Sequence, residues 1–281
     1  AALQRIAYLL YKYRDRLKAD QIILFSPNSM FNSYVSNVLP ELGEENMQQV
    51  TFQEYLDHRL SKAFQVEGPY EQLEYVLTAA NDPSYRTRMA NIRFKASTRF
   101  FEAIKGYWKS LASSGMLFKD ILFRGKPIVT AKQIAERFYS SDTSLRFHNR
   151  LEKLTEWLNK QIDEAEKLER TKPWVQEEIE LLSNEDYHKA YTHLRKKRRF
   201  KGESLDNYEI ETEALGELIV RKKMKPLRKR IRALRFIDFK GIYKQLFSDP
   251  TQIKLWLEGE TPGEWEDICR LTVKMLDEGK L

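Results

Sequence analysis

The 281-residue chain has a single cysteine, Cys269. This excludes an internal disulfide and favours a reducing compartment. With only 11 glycines and 9 prolines, long uninterrupted elements are expected. No run approaches the roughly 18 apolar residues of a membrane span, and the N-terminus lacks a signal-peptide pattern. It also lacks Met, which indicates a processed start or an internal piece of a longer protein.

The usual sequence patterns of a catalytic site are missing as well. There is no Gly-x-x-x-x-Gly-Lys-Ser/Thr loop to hold the β- and γ-phosphates of a nucleotide, and no strand ends in Asp-Glu to hold magnesium. His188 and His193 are five residues apart, which splays them around a helix without further metal ligands. We therefore predict that this chain alone is inactive, with no catalytic residue, no metal site and no cofactor of its own.

Hydrophobic spacing in the first 62 residues predicts an alternation of helices and strands. Residues 2–18 have the pattern of an amphipathic helix, residues 21–25 that of a buried strand, and residues 47–50 that of a second short strand. Thr51-x-x-Glu54 is a capping box that opens the next helix. This order is typical of a parallel α/β sheet.

From about residue 63 the pattern becomes helical. The exception is residues 117–130, which predict one hairpin that turns at Arg124-Gly125. Residues 143–171 predict a long helix with a coiled-coil-like seam that requires an antiparallel helical partner. Residues 204–235 predict another long helix, interrupted at Gly216 and Pro226. The predicted seam has apolar residues on a 4-3 spacing and one glutamine: Phe147, Leu151, Leu154, Leu158, Gln161, Ala165 and Leu168.

The positive charge of the chain is concentrated in one segment. Residues 191–240 hold 16 Lys/Arg and 7 Asp/Glu, a net charge of +9, whereas the whole chain carries +7. Such a local excess favours a polyanion as partner, either nucleic acid or an acidic protein surface. The alternative is a solvated helix neutralised by the acidic residues of 203–217. The candidate basic patch comprises Arg195, Lys196, Lys197, Arg198, Arg199, Arg228, Lys229, Arg230 and Arg232.

Two predicted turns follow the two strands, at Ser26-Pro27-Asn28 and at Thr51-Phe52. A helix that begins at such a turn offers free backbone N–H groups and a partial positive charge, which suit a phosphate. The alternative is that both turns are ordinary helix caps and that Phe52 belongs to the core.

The order of these pieces resembles UvrD/Rep-type superfamily 1 helicases. The Arg5-Ile6-Ala7 triplet is similar to the helix that follows their phosphate-binding loop. The stretch from Ile23 to Asn28 lies where that family has motif Ia, and the stretch from Thr51 to Leu60 is similar to motif Ib. Four further segments look like the HelD class of this family: Ala7–Tyr11, Ser26–Ser36, Val38–Glu44 and Phe118–Ile121.

The resemblance implies an internal piece of a bacterial, cytoplasmic, nucleoid-associated motor. The implied fold is α/β, a partial RecA-like domain (P-loop NTPase type) with a large, mostly α-helical insertion. Residues 1–62 would be the RecA-like part, residues 63–235 the insertion with one hairpin, and residues 236–281 helices that return toward the RecA-like part. Motif Ia and Ib residues touch single-stranded DNA in the family, so the implied strand contacts are Ser26, Pro27, Asn28, Thr51 and Phe52.

The resemblance also implies partners and a function. HelD-class proteins bind RNA polymerase, displace nucleic acid from it with a helical insertion, and use ATP and magnesium to recycle it. We therefore expect an ATP-dependent, helicase-like motor that binds DNA, single-stranded or at a duplex junction, and RNA polymerase. The alternative is a non-catalytic helical module that docks on RNA polymerase without engaging a DNA strand.

Overall fold

The computed structural model describes residues 2–36, 38–41, 47–60, 62–183, 185, 187, 188, 191, 192, 208–257 and 262–281. A short 3₁₀ helix spans Ala19–Gln21. The strands are β1 (Ile23–Ser26), β2 (Gln48–Thr51), β3 (Ile121–Phe123) and β4 (Lys126–Val129). The α-helices, numbered along the chain, are α1 (Ala2–Lys12), α2 (Ser29–Val35), α3 (Val38–Glu41), α4 (Phe52–Leu60), α5 (Pro69–Thr78), α6 (Tyr85–Lys95), α7 (Thr98–Ser110), α8 (Ala131–Tyr139), α9 (Phe147–Glu169), α10 (Pro173–Glu180), α11 (Tyr208–Arg232), α12 (Phe239–Ser248), α13 (Pro250–Lys254) and α14 (Trp265–Asp277).

The chain folds into two compact units, residues 1–97 with 261–281 and residues 98–260. These boundaries differ from the segments 1–62, 63–235 and 236–281 expected from the sequence. α5 and α6 belong to the first unit, where α6 packs against α14, whereas α12 and α13, expected among the returning helices, belong to the second unit. The functional assignment of the three segments stays a prediction.

In the first unit, β1 and β2 form the predicted parallel pair, with Ile23 opposite Gln48 and Ser26 opposite Thr51. The strand at 21–25 was predicted to be buried, but one face of β1 is open, since Ile23 is 42% and Phe25 50% exposed. Across the described ranges this sheet has two strands. The protein is therefore a mostly helical α/β protein, and no RecA-like sheet is evident in the residues that the structure describes.

The second unit contains the predicted hairpin, and its turn explains the sequence signal. β3 and β4 are antiparallel. Arg124 and Gly125 both have positive φ, 48° and 77°, which reverses the chain between twisted strands. The Arg124 guanidinium lies 4.6 Å from the ring centroid of Trp174, so the turn is held against α10.

The predicted antiparallel partner of α9 is α11. Arg170 near the end of α9 pairs with Glu217 at 3.4 Å, whereas Asp163, earlier in α9, pairs with Arg228 at 2.7 Å, so the two helices run in opposite directions. Pro226 does not interrupt α11, which is continuous from Tyr208 to Arg232. Nor does Gly216 interrupt it. The glycine is buried, and a Cβ there would lie 3.2 Å from Cγ1 of Val175, so its role is close packing.

The α9 seam differs from the predicted one in its second half. Leu151, Leu154 and Leu158 are buried as predicted, but the next buried position is Ile162 and not Gln161. Leu168, the last predicted seam residue, is 71% exposed. A straight α-helix has 3.6 residues per turn, so its buried stripe drifts away from a strict 3.5-residue repeat.

Polar groups line the contact between α6 and α14. Asn91 and Thr272 are both buried, and the Thr272 hydroxyl lies 3.4 Å from Oδ1 of Asn91. Burial lowers the pKa of the Lys95 ammonium on α6 to about 8, and an electrostatic interaction with Cys269 opposes this shift only in part. A cation held in this contact costs stability at neutral pH.

We expect Lys95→Met to raise the free energy of unfolding at pH 7 by up to about 3 kcal/mol. The wild-type unfolded chain binds the Lys95 proton more tightly than the folded protein does between pH 8 and 10.5. Wild-type stability therefore rises with pH across this window, and the advantage of the variant shrinks there. Denaturant unfolding from pH 7 to 10.5 measures both effects, with the exposed Lys62→Met as control. A Lys95→Met variant that is less stable than wild type at pH 7 would contradict the prediction.

Candidate nucleic-acid interface

The predicted strand-contact residues meet at one edge of the first unit. Ser26 ends β1 and lies opposite Thr51, which ends β2. The carboxyl ends of these parallel strands therefore lie side by side, and α2 and α4 begin just beyond them. In open α/β sheets this edge is the usual place for a ligand.

The turn before α2 is an intramolecular cap. Oδ1 of Asn28 accepts a hydrogen bond from the backbone N–H of Phe31 at 2.8 Å. The buried Ser26 hydroxyl donates to Oδ1 of Asn32 and lies 3.2 Å from the Asn28 carbonyl oxygen. Ser26 and Asn28 therefore hold the turn, while Pro27 is exposed between them.

The turn before α4 is the predicted capping box. Oγ1 of Thr51 accepts from the Glu54 N–H at 3.1 Å, and Oε2 of Glu54 accepts from the Thr51 N–H at 2.7 Å. The carboxylate covers a donor that a phosphate would need and adds negative charge beside it. Thr51 is therefore a cap in this structure. Phe52 is 62% exposed, which shows that the alternative of a core role for this ring was wrong.

Three rings form a continuous surface at the same edge, which we call the aromatic edge: the exposed Phe25 and Phe52 and the half-buried Tyr55. The Phe25 ring centroid lies 6.0 Å from that of Phe52 and 5.3 Å from that of Tyr55. The Arg59 guanidinium lies 5.7 Å from the Tyr55 ring centroid. Sequence reasoning missed Phe25, although the period-2 alternation of β1 points it and Ile23 to the same face.

The basic patch separates into parts with different surroundings. Arg195, Lys196, Lys197, Arg198 and Arg199 lie outside the described residues. Arg228 is half-buried, and its Nη2 lies 2.7 Å from Asp163 and 2.6 Å from Glu166. Its charge is already neutralised, so it is a poor candidate for a polyanion contact.

The remaining patch residues on α11 are exposed: Lys229, Arg230 and Arg232. Among the described residues no carboxylate forms an ion pair with any of the three. Another cation of α11, Lys223, does have a carboxylate partner, since it pairs with Glu178 of α10 at 2.7 Å. Acidic residues of α9 and α10 therefore neutralise part of the positive charge of α11, in addition to the acidic residues predicted from 203–217.

Arg228 borders a cleft of about 1000 Å³ between α9 and α11. Its walls carry six cations and three carboxylates: Lys167, Arg170, Arg221, Lys222, Lys225, Arg228, Asp163, Glu166 and Glu217. Arg170 lies 3.3 Å from Glu166 and 3.4 Å from Glu217, which ties the two helices together. The ion pairs at the base of the cleft are therefore structural, and the positive excess comes from α11 and Lys167.

Two other features are absent from the described residues, a metal-ion cluster and a membrane-spanning helix. No group of three or more His, Cys, Asp or Glu side chains there is placed to hold a metal ion. In the same part of the chain, every helix is too short or too polar to cross a membrane. No protein-family model matches the chain, and a search of curated proteins finds no similar sequence.

Proposed function

We propose that the chain binds single-stranded nucleic acid at its aromatic edge, as part of an ATP-dependent superfamily 1 motor of the HelD class. The observation that carries this proposal is the cluster of the exposed Phe25 and Phe52 with Tyr55, at the carboxyl ends of two parallel strands. The sequence resemblance implies strand contacts at this same edge, on Ser26–Asn28 and Thr51–Phe52.

Aromatic rings suit an unpaired strand because every base has a face on which a ring can stack. Such stacking contributes about 1–3 kcal/mol per base and tolerates any sequence. Phe25 and Phe52 are each at least half exposed, so their rings are accessible to bases. Arg59, on the next turn of α4 from Tyr55, adds positive charge beside the cluster.

The five motif residues have two kinds of role, since three of them hold the turns and two are exposed. Ser26, Asn28 and Thr51 fix the turns through their caps, and so position the exposed Phe52 and Pro27. The described residues contain no cluster fit to hold magnesium, and the sequence has no phosphate-binding loop. ATP and magnesium therefore belong, in this proposal, to the longer protein.

A second candidate function is docking of the helical unit on RNA polymerase. It is favoured by the three cations Lys229, Arg230 and Arg232, which are exposed without a carboxylate partner in the described part of the chain. An acidic protein surface would neutralise them as well as a phosphate backbone would. The two candidates predict opposite results for variants of the aromatic edge.

The test is a double variant, Phe25→Ala with Phe52→Ala, whose binding to a fluorescent single-stranded oligonucleotide is measured by anisotropy. We expect the Kd to rise about 30-fold or more, because two stacking contacts are lost. Phe239→Ala removes a comparably exposed ring, 52%, from the other unit and serves as the matched control.

Phe52→Ala alone separates binding from folding, since its ring is mostly exposed and its loss leaves little cavity. A double variant that keeps its circular dichroism spectrum and binds the oligonucleotide within twofold of wild type would refute the aromatic edge as the strand site. Retained capture of RNA polymerase by such a variant, after nuclease treatment, would favour the docking function.

A further inference from the structure

A second cleft, of about 480 Å³, lies in the second unit along one face of α7. Its opposite wall is the segment of Leu255 and Trp256 that follows α13. The charged groups that line it are Arg99, Glu102, Lys105 and Lys109. The cleft belongs wholly to residues 98–260 and is thus independent of the aromatic edge in the first unit.

Arg99 is the unusual member of this cleft. Its Nε and Nη2 atoms are buried and have no hydrogen-bond partner. Two desolvated N–H groups without an acceptor are costly, because they lose water and gain no hydrogen bond in return. The Nε–H and Nη2–H groups lie on the same side of the guanidinium fork, which is the side that binds one oxyanion through two parallel hydrogen bonds.

The other cations of the cleft differ in how far they are neutralised. Lys105 lies 2.9 Å from Oε1 and 3.0 Å from Oε2 of Glu102, so this pair is internally satisfied. Lys109 is exposed at the end of α7 and has no ion-pair partner within the described ranges. Arg99 and Lys109 are therefore the two cations of the cleft that no carboxylate of the described residues neutralises.

The spacing of Arg99 and Lys109 along α7 determines how long an anion must be to contact both. Arg99 and Lys109 are ten residues apart, which on a helix places their Cα atoms about 15 Å apart. Gly106 lies between them, and a Cβ there would be 2.8 Å from Cε3 of Trp256. The indole therefore rests directly on the helix backbone and forms a fixed apolar wall along the cleft.

We propose that this cleft binds a phosphate-bearing anion, with one phosphate at the partly exposed Arg99, whose guanidinium turns its Nε–Nη2 side toward the cleft on binding, and further phosphates extending toward Lys109. Phosphate fits the fork of Arg99 in shape and charge. The length of the cleft favours a chain of phosphates over a single ion. Free oligophosphates and a nucleic-acid backbone share this chemistry.

The first experiment follows the Tm of the full 281-residue chain in phosphate-free buffer and then with increasing inorganic phosphate. Wild type is expected to gain several degrees at saturation, because a ligand that binds the folded state stabilises it. Arg99→Met is expected to melt above wild type without phosphate, since two buried N–H groups without an acceptor are removed, and to gain nothing from phosphate. Arg146→Met, an exposed arginine of the same unit, is the charge-matched control and is expected to keep the wild-type gain.

Arg99→Lys keeps the positive charge but loses the fork, and it is expected to weaken phosphate binding about tenfold or more. The proposal is overturned if wild type gains no stability from phosphate. It is also overturned if Arg99→Met retains the wild-type gain, or if it melts below wild type in phosphate-free buffer while Arg146→Met does not.

The second experiment distinguishes the two sources of phosphate. Tripolyphosphate and a ten-nucleotide single strand are titrated by calorimetry into Phe52→Ala, in which the aromatic edge is impaired, and into the double variant Phe52→Ala with Lys109→Met. If Lys109→Met weakens the binding of tripolyphosphate but not of the single strand, the ligand is a free oligophosphate. If it weakens the binding of both, the ligand is a nucleic-acid backbone. If neither the affinity for tripolyphosphate nor that for the single strand falls by threefold, the extension toward Lys109 is refuted. This outcome is independent of whether the aromatic edge binds nucleic acid.

Discussion

Replacing Arg150 by methionine is expected to lower the free energy of unfolding by about 3 kcal/mol or more. Arg150 lies on α9 and is only 3% exposed. Its Nη1 donates to the carbonyl oxygen of Ala112 at 2.7 Å and its Nη2 to that of Phe138 at 2.9 Å. Its Nε donates to the Ser141 hydroxyl at 3.0 Å. One side chain therefore joins the ends of α7 and α8 to the start of α9.

The loss is large because methionine satisfies none of these acceptors. The Ala112 carbonyl, just beyond the end of α7, would lose its donor, whereas the Phe138 carbonyl would lose one donor and keep the Ser141 N–H at 3.3 Å. The guanidinium also lies 4.3 Å from the ring centroid of Phe138, a contact that methionine replaces only as an apolar neighbour. Lysine at this position supplies a cation but cannot reach the acceptors with a planar fork.

Urea unfolding followed by circular dichroism measures the effect. Arg146→Met provides the control, because Arg146 precedes α9 by one residue and is exposed. We expect the control to stay close to wild type and Arg150→Lys to lose a large part of what Arg150→Met loses. An Arg150→Met variant within 1 kcal/mol of wild type would show that water replaces the guanidinium at these carbonyls.

The parallel pairing of β1 and β2 could be predicted from the sequence, because apolar runs and capping residues act locally. Thr51 and Glu54 are three residues apart, and their reciprocal hydrogen bonds follow from that spacing alone. The exposure of Phe25 could not be predicted in the same way. It depends on what covers the strand from other parts of the chain, and propensity carries no information about that.

Position 150 illustrates the same limit for a charged residue. In the sequence, Arg150 is one of several basic residues near the start of a long helix, and most such residues are solvated. Its three acceptors are 38, 12 and 9 residues away along the chain. Only the packing of three helix ends makes it a structural residue, so no local pattern distinguishes it from Arg146.

The basic stretch of α11 shows the limit of charge counting. Nine cations without an acid in 221–235 predict a surface for a polyanion, and the sequence gives each cation equal weight. The structure divides them, because α9 places acidic side chains against one face of α11 only. Arg228 faces these acids, whereas Lys229, Arg230 and Arg232 are exposed. The candidates for binding and the residues needed for folding are therefore neighbours in sequence.

Arg228→Glu is the substitution that separates these two roles, and it is expected to lower the free energy of unfolding by about 3 kcal/mol or more. Burial by itself lowers the pKa of Arg228, but hydrogen bonds to Glu166 and Asp163 outweigh it, and its pKa is raised. A glutamate at 228 would place a third carboxylate beside these two. Glu166 is only 5% exposed, so its charge would be screened little by water.

Arg228→Met distinguishes repulsion from the loss of the ion pairs. It is expected to lose less stability than Arg228→Glu, because Glu166 keeps Arg170 at 3.3 Å. The triple variant Lys229→Glu, Arg230→Glu, Arg232→Glu is expected to unfold near the wild-type midpoint, since exposed charges contribute little to stability. If these three residues engage a polyanion, that variant alone weakens binding to single-stranded DNA or to RNA polymerase and reduces the salt slope of binding. Equal unfolding midpoints for Arg228→Glu and wild type would instead place Arg228 with the exposed cations and restore it to the candidate binding surface.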